Sequence, residues 1–252
     1  MPTQGTGNQP IRILVTGEHE DFQSRCPSAL PSGEPLEWVQ IPVLEFQRLP
    51  VPEGIVERLI HKPVDWIIFT SSRAVSFWSE VLMEQGLDFP LETQVACIGE
   101  HTAEIASRDG FTTDFFPTEP GTEKFLEEFE DLLSNNSVKP SIFIPMAEGG
   151  RTTLRDRLKS QGCEVISISL YRSLPRTDIA KTLSKEELEK ASLILFTSPS
   201  SCDALLKAHQ IPSHVKVASL GRYTASHLLN KGFIDQKMLP DGDFHRIAEV
   251  LC

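Results

Sequence analysis

No apolar run in this chain approaches the roughly 20 residues that a membrane-spanning helix requires; the longest are strand-sized, as in WIIF at 66–69 and LILF at 193–196. The opening MPTQGTGNQP lacks the basic and apolar regions of a secretory signal. A cytoplasmic chain behind a short disordered tail is expected, with no membrane partner. Cys26, Cys97, Cys163, Cys202 and Cys252 are odd in number and form no C-x-x-C pair, a pattern of reduced packing or surface thiols rather than disulfides or zinc ligands. Basic residues are outnumbered 35 to 24 and form no stripe, for a net charge of −11. Nucleic acid is therefore set aside as a partner. G-x-G-x-x-G, P-loop, G-x-S-x-G and H-E-x-x-H patterns are all missing, and the histidines show no ligand spacing, so neither cofactor nor metal is expected.

What the chain does contain is repetition. DWIIFTSSRAV (65–75) and SLILFTSPSSC (192–202) each run an apolar stretch into a cluster of hydroxyls, the grammar of a buried strand feeding the start of a helix. VACIGEHTAEIASRDGF (95–111) aligns with VASLGRYTASHLLNKGF (217–233), keeping a strand, a glycine, a Thr-Ala pair and a final Gly-Phe. Gly110 and Gly232 read as helix C-caps. Residues 11–46 and 140–175 share a looser layout of strand, polar loop, amphipathic helix, glycine-containing turn and second strand. That block precedes its partners in the first half and follows them in the second, so the repeat is circularly offset.

The offset has a topological consequence, because the N-terminal βα unit needs further βα units to close a core and the leftover ones are C-terminal. The expected fold is α/β with two domains, each a mostly parallel sheet flanked by helices, joined by a two-stranded β-ladder. One domain is discontinuous, 1–38 plus 175–252, and the other spans 43–168. The crossings lie at 39–46 and 167–174. With 252 residues and 40% hydrophobic content, both cores can be filled.

Four hydroxyl-bearing turns stand out: Thr70, Ser71 and Ser72; His101 and Thr102; Ser198, Ser200 and Ser201; Tyr223 and Thr224. Singly, each hydroxyl reads as an N-cap. Together, in two symmetric copies at the ends of parallel strands, they suit an anionic ligand in a cleft between the domains, bound by N–H groups and hydroxyls. Tyrosine occurs only at 171 and 223. Tyr171 falls on the second crossing strand, where a phenol can donate a proton or hydrogen bond.

These residues carry a resemblance. LVT (14–16), FTSSRAV, IGEHTAEIASRDGF, EPGTEKFLEEF, EGGRTTLRDRLKSQGCEVISISLYRSLP, LFTSPSSC and SLGRYTASHLLNKGF, in that order and spacing, resemble the uroporphyrinogen-III synthase family from about residue 11 to the C-terminus. The resemblance implies a cofactor-free lyase of porphyrin and haem biosynthesis that closes the linear tetrapyrrole hydroxymethylbilane with inversion of ring D, acting as a monomer. It puts the family's ladder tyrosine on Tyr171 as the catalytic donor. Its substrate-binding threonines fall on Thr102 and Thr224, and the serines of the two Thr-Ser phrases on Ser71 and Ser198. Two positions depart from many relatives, which carry Arg where this chain has Gly17 and Met146. A catalytically inactive two-domain tetrapyrrole-binding or regulatory protein is the alternative. An acidic chain and a polycarboxylate repel at long range, but screening limits this to about 8 Å at physiological salt, leaving Arg73, Arg151, Arg172 and Arg222 to act locally.

Overall fold

WIIF and LILF have no polar residue to turn toward water, and both faces of each are buried. The structure, a computed structural model, describes residues 9–18, 22–88, 90, 92–134 and 138–251. Residues 1–8, which make up most of the expected tail, and Cys252 lie outside the described residues. The strands among the described residues are β1 Ile11–Thr16, β2 Leu36–Gln40, β3 Leu44–Arg48, β4 Trp66–Phe69, β5 Gln94–Cys97, β6 Ser141–Ala147, β7 Glu164–Pro175, β8 Leu193–Phe196, β9 Lys216–Ser219 and β10 Lys237–Met238. The chain divides into two compact units, Met1–Glu45 with Leu174–Cys252, and Phe46–Ser173, with β3 and β7 each contributing residues to both.

The first unit holds a five-stranded sheet in the order β10-β9-β8-β1-β2, with every pairing parallel. Alternation along the strands sends Leu14, Ile194, Phe196 and Val217 to one face, against Leu205 and Leu228. Ile13, Val15, Leu193 and Leu195 go to the other, against Phe22, Trp38 and Phe244. Doubly covered parallel strands read as continuous apolar runs for this reason. Each fully buried phenylalanine such as Phe196 contributes about 1.5–3 kcal/mol by its burial.

The second unit repeats the plan in the order β3-β7-β6-β4-β5, parallel from β7 to β5. Ile67, Phe69 and Phe143 pack with Val75, Trp78 and Leu82 of the helix Ser72–Glu84. Trp66, Ile68, Ile142 and Ile144 pack with Phe125 and Phe129 of the helix Thr122–Ser134. Pro145 sits inside β6 without breaking the sheet, because β6 pairs with β4 only at Ile142 and Phe143, before the proline is reached. β3 and β7 are hydrogen-bonded neighbours. Leu49 N–H donates to the Leu170 carbonyl and Arg176 N–H to the Val43 carbonyl, partners that run in opposite directions and mark an antiparallel pair.

Two sequence readings meet different fates. Gly110 and Gly232 take positive φ of 89° and 93°. After each, the Phe111 or Phe233 N–H reaches back to the Ala106 or Leu228 carbonyl, a Schellman closure that needs the left-handed glycine. The amphipathic helix expected in the 11–46 block is instead a single turn, Phe22–Arg25. Pro27, Pro31 and Pro35 follow at four-residue spacing, and each removes a helix donor and restrains the residue before it. Among the described residues no helix is long and apolar enough to cross a membrane.

Candidate functional site

In the second unit β4 ends at Phe69 and the chain turns through Thr70 into the helix Ser72–Glu84. Ser71 is the N-cap: its backbone is extended, φ −167° and ψ 155°, and its Oγ accepts from the Ala74 N–H at 3.2 Å. The Ile98 N–H donates to the Phe69 carbonyl at 3.0 Å, which sets the Gly99–His101–Thr102 turn beside this one. Gly99 caps the helix Glu100–Arg108 without a side-chain hydrogen bond, so no side-chain acceptor competes for that helix's first N–H groups. Thr102 is buried in the first turn, and His101 is half exposed with its Nδ1 3.5 Å from Glu104.

Tyr171 joins this edge through an irregularity in β7. Met146 pairs with Ser169 but Ala147 pairs with Tyr171, so Leu170 is an extra residue on β7. Strict alternation would put Leu170 and Tyr171 on opposite faces. The bulge lets both enter the cluster that packs on the helix Ser72–Glu84. There the phenol oxygen lies 2.9 Å from Ser71 Oγ. The ring is flanked by Phe46 and Phe77, with centroids 6.3 and 5.4 Å away, and Arg73 stacks on Phe46 at 3.6 Å. Tyr171 is only 7% exposed.

The first unit builds its counterpart differently. Leu220 N–H donates to the Phe196 carbonyl at 2.9 Å, setting the Gly221–Tyr223–Thr224 turn beside the Thr197–Ser198 turn. Gly221 again caps without a side chain, Thr224 is buried and Tyr223 is 42% exposed. Ser198 and Ser201 form a reciprocal capping box, each Oγ accepting from the other's N–H at 3.1 Å. The Ser201 hydroxyl also donates to the Ser198 carbonyl at 2.8 Å and accepts from Thr16 Oγ1 at 2.9 Å. Thr16, the last residue of β1, accepts in turn from the Thr197 N–H. Ser201 has no exposed surface, and its hydrogen-bonding capacity is filled. Ser200 is exposed on the first turn of the same helix.

Each unit thus brings its own pair of turns together: Thr70, Ser71, Ser72, His101, Thr102 and Tyr171 in one, Ser198, Ser200, Tyr223 and Thr224 in the other. Among the described residues no group of three or more His, Cys, Asp or Glu could hold a metal ion. Burial pushes the thiols of Cys97 and Cys202 up to about 11, which keeps both as inert packing groups. Sequence reasoning missed Phe46, Phe77 and Thr16. The advance signals for Thr16 were its place in the LVT stretch and as a polar residue closing the run IRILVT.

The family model described as Uroporphyrinogen-III synthase HemD matches residues 33–236. The chain belongs to this family. A protein of Methanothermobacter thermautotrophicus, provisionally named uroporphyrinogen-III synthase, is 30% identical over 179 residues, 67% of this chain and 70% of its own. The uroporphyrinogen-III synthase of Synechococcus elongatus is 26% identical over 140 residues, 54% of this chain and 51% of its own. The crystal structure of uroporphyrinogen-III synthetase from Helicobacter pylori shares the fold, with a TM-score of 0.63 at 18% identity over 96% of this chain and 97% of that one. A mutant uroporphyrinogen III synthase from Thermus thermophilus gives 0.59 at 19% identity, over 96% and 98%. Within this family of synthases, the Met146 side chain here is half buried and packs on the cluster around Ile142 and Ile144, an apolar role in a position read above as a lost arginine.

Proposed function

We propose that the chain closes hydroxymethylbilane to uroporphyrinogen III. The observation that carries this reading is the family match across most of the chain, supported by a phenol held at the hydroxyl-rich edge of a parallel sheet, where α/β folds bind ligands. In this reading Tyr171 is the catalytic donor. Thr70, Ser71, Ser72, His101, Thr102, Ser198, Ser200, Tyr223 and Thr224 line substrate.

The chemistry asks little covalent work of the protein. Electron push from the ring-A pyrrole expels the terminal hydroxyl, and a donated proton lets it leave as water. The azafulvene so formed is attacked by the substituted carbon of ring D; the spiro intermediate fragments and recloses with ring D inverted. What the chain supplies is the donor, Tyr171, and the folding of a flexible substrate into the reactive arrangement. Arg73 and the N–H groups opening the helix Ser72–Glu84 give carboxylates a local counterpart to the net charge of −11. The same reading has the chain acting as a monomer in the cytoplasm, without nucleic acid.

The test is turnover. Freshly prepared hydroxymethylbilane is incubated with the chain and the uroporphyrin isomers are separated after oxidation. Type III product above the protein-free control is expected; type I alone, at the control rate, overturns the reading and leaves a binding protein.

A further inference from the structure

We propose that Ser71 is a positioning residue for Tyr171, donating its hydroxyl hydrogen to the phenol oxygen so that the phenol's own proton is aimed at the departing hydroxyl. The inference rests on the functional reading above and goes beyond the assignment of Ser71 to substrate. Three observations support it. Ser71 Oγ accepts the Ala74 N–H at 3.2 Å and lies 2.9 Å from Tyr171 Oη, a contact in which either hydroxyl can donate; with Ser71 as the donor, the phenol's own proton is left for the substrate. The side chain and its backbone are both anchored: Phe46 and Phe77 flank the ring, and the Tyr171 carbonyl accepts the Glu148 N–H at 2.6 Å just past the bulge. Ser71 also opens a 13-residue helix, whose N-terminal partial positive charge favours a phenol oxygen that is losing its proton.

The step balances. The substrate's carbon–oxygen bond breaks with its electron pair leaving on oxygen, and the Tyr171 proton moves to that oxygen and departs in water. Ser71 O–H remains hydrogen-bonded to the phenolate, and the proton shed by the substrate on ring closure restores the phenol.

Ser71→Gly isolates the role, since glycine is accepted at an N-cap nearly as well as serine and only the hydroxyl is lost. Steady-state kinetics with hydroxymethylbilane should show kcat falling by roughly tenfold, a part of what general acid catalysis supplies, with KM within about twofold. Ser71→Thr, which keeps the hydroxyl, should restore most of kcat. In the Tyr171→Phe background Ser71→Gly should give no further loss, because Ser71 acts through the phenol. If Ser71→Gly fails to fold, Ser71→Asp preserves the cap yet offers no hydrogen to the phenol, and should show the same fall in kcat. Multiplying losses in the double variant, a rise in KM at constant kcat, or full turnover in Ser71→Gly or Ser71→Asp each overturn the proposal. A wild-type chain that forms no type III product sinks the functional reading and the proposal with it. An active wild type with unimpaired Ser71 variants sinks the proposal alone.

Discussion

The two Thr-Ser turns begin as one phrase and end as different devices. In the first unit FTSPSS closes on itself: Ser198 and Ser201 cap each other, Thr16 ties the pair to the neighbouring strand, and the Ser201 hydroxyl has no exposed surface. In the second unit FTSSRA leaves its N-cap serine with one backbone donor and one phenol, at the half-buried edge of the sheet. The difference lies three residues past the cap. Ser201 returns its hydroxyl to the turn, whereas Ala74 at the matching place has none to return. A turn whose hydroxyls are satisfied internally adds stability, and one that passes a hydroxyl to a second residue can serve chemistry.

The sharpest way to break that contrast is Tyr171→Phe, which keeps the ring packing and removes the donor. Turnover should fall by roughly ten to a thousandfold, in or slightly below the range of ordinary acid catalysis, while urea unfolding stays close to wild type. Retained turnover would make Tyr171 a packing residue. Next in size, Ser201→Ala in the first unit should cost about 1–3 kcal/mol of stability by removing the acceptor of the Ser198 N–H and of the Thr16 hydroxyl, read as a lower urea midpoint. Thr16→Val combined with it should cost less than the sum, since both belong to one network. A large loss of turnover in folded Ser201→Ala would erase the division between a structural turn and a chemical one.

Smaller effects sharpen the symmetry. Thr102→Ala and Thr224→Ala, at the same place in their helices, should each raise KM by the equivalent of about 1–2 kcal/mol with kcat nearly kept. Clearly unequal KM values would show that one unit dominates binding. Smallest is a surface cluster in the first unit, Asp203 with Lys231 and His227. Burial alone would raise Asp203, but Lys231 at 2.6 Å and His227 at 3.0 Å hold its carboxyl below the ordinary 3.8. A depressed carboxyl stabilises the fold above its unfolded value, and that contribution is lost as pH falls through the lowered folded value. Asp203→Asn should therefore cost a few tenths of a kcal/mol near neutrality, given half-exposed partners. The gap should narrow in unfolding measured at progressively lower pH below 3.8.

Much of this was legible in one dimension. Continuous apolar strands, hydroxyls at strand ends and Gly-Phe closures are local signals, fixed by strand alternation, capping chemistry and the left-handed freedom of glycine. They were enough to specify two mostly parallel sheets with helices on both faces and to single out the four hydroxyl-bearing turns of the candidate site. Even the missing helix near residue 22 had its sign in three evenly spaced prolines. The direction of Tyr171 had none. Residues 164–175 read as a plain strand whose alternation sets Leu170 and Tyr171 on opposite faces, and only pairing with β6 inserts the bulge that turns both toward the helix carrying Ser71. The fate of Ser201 was hidden in the same way, because its partner Thr16 is 185 residues distant. Sequence determined which groups stand at the ends of the strands, since that depends on neighbours along the chain. Tertiary structure decided which hydroxyl is closed in a network and which meets a phenol, since hydrogen-bond partners are chosen by distance in space.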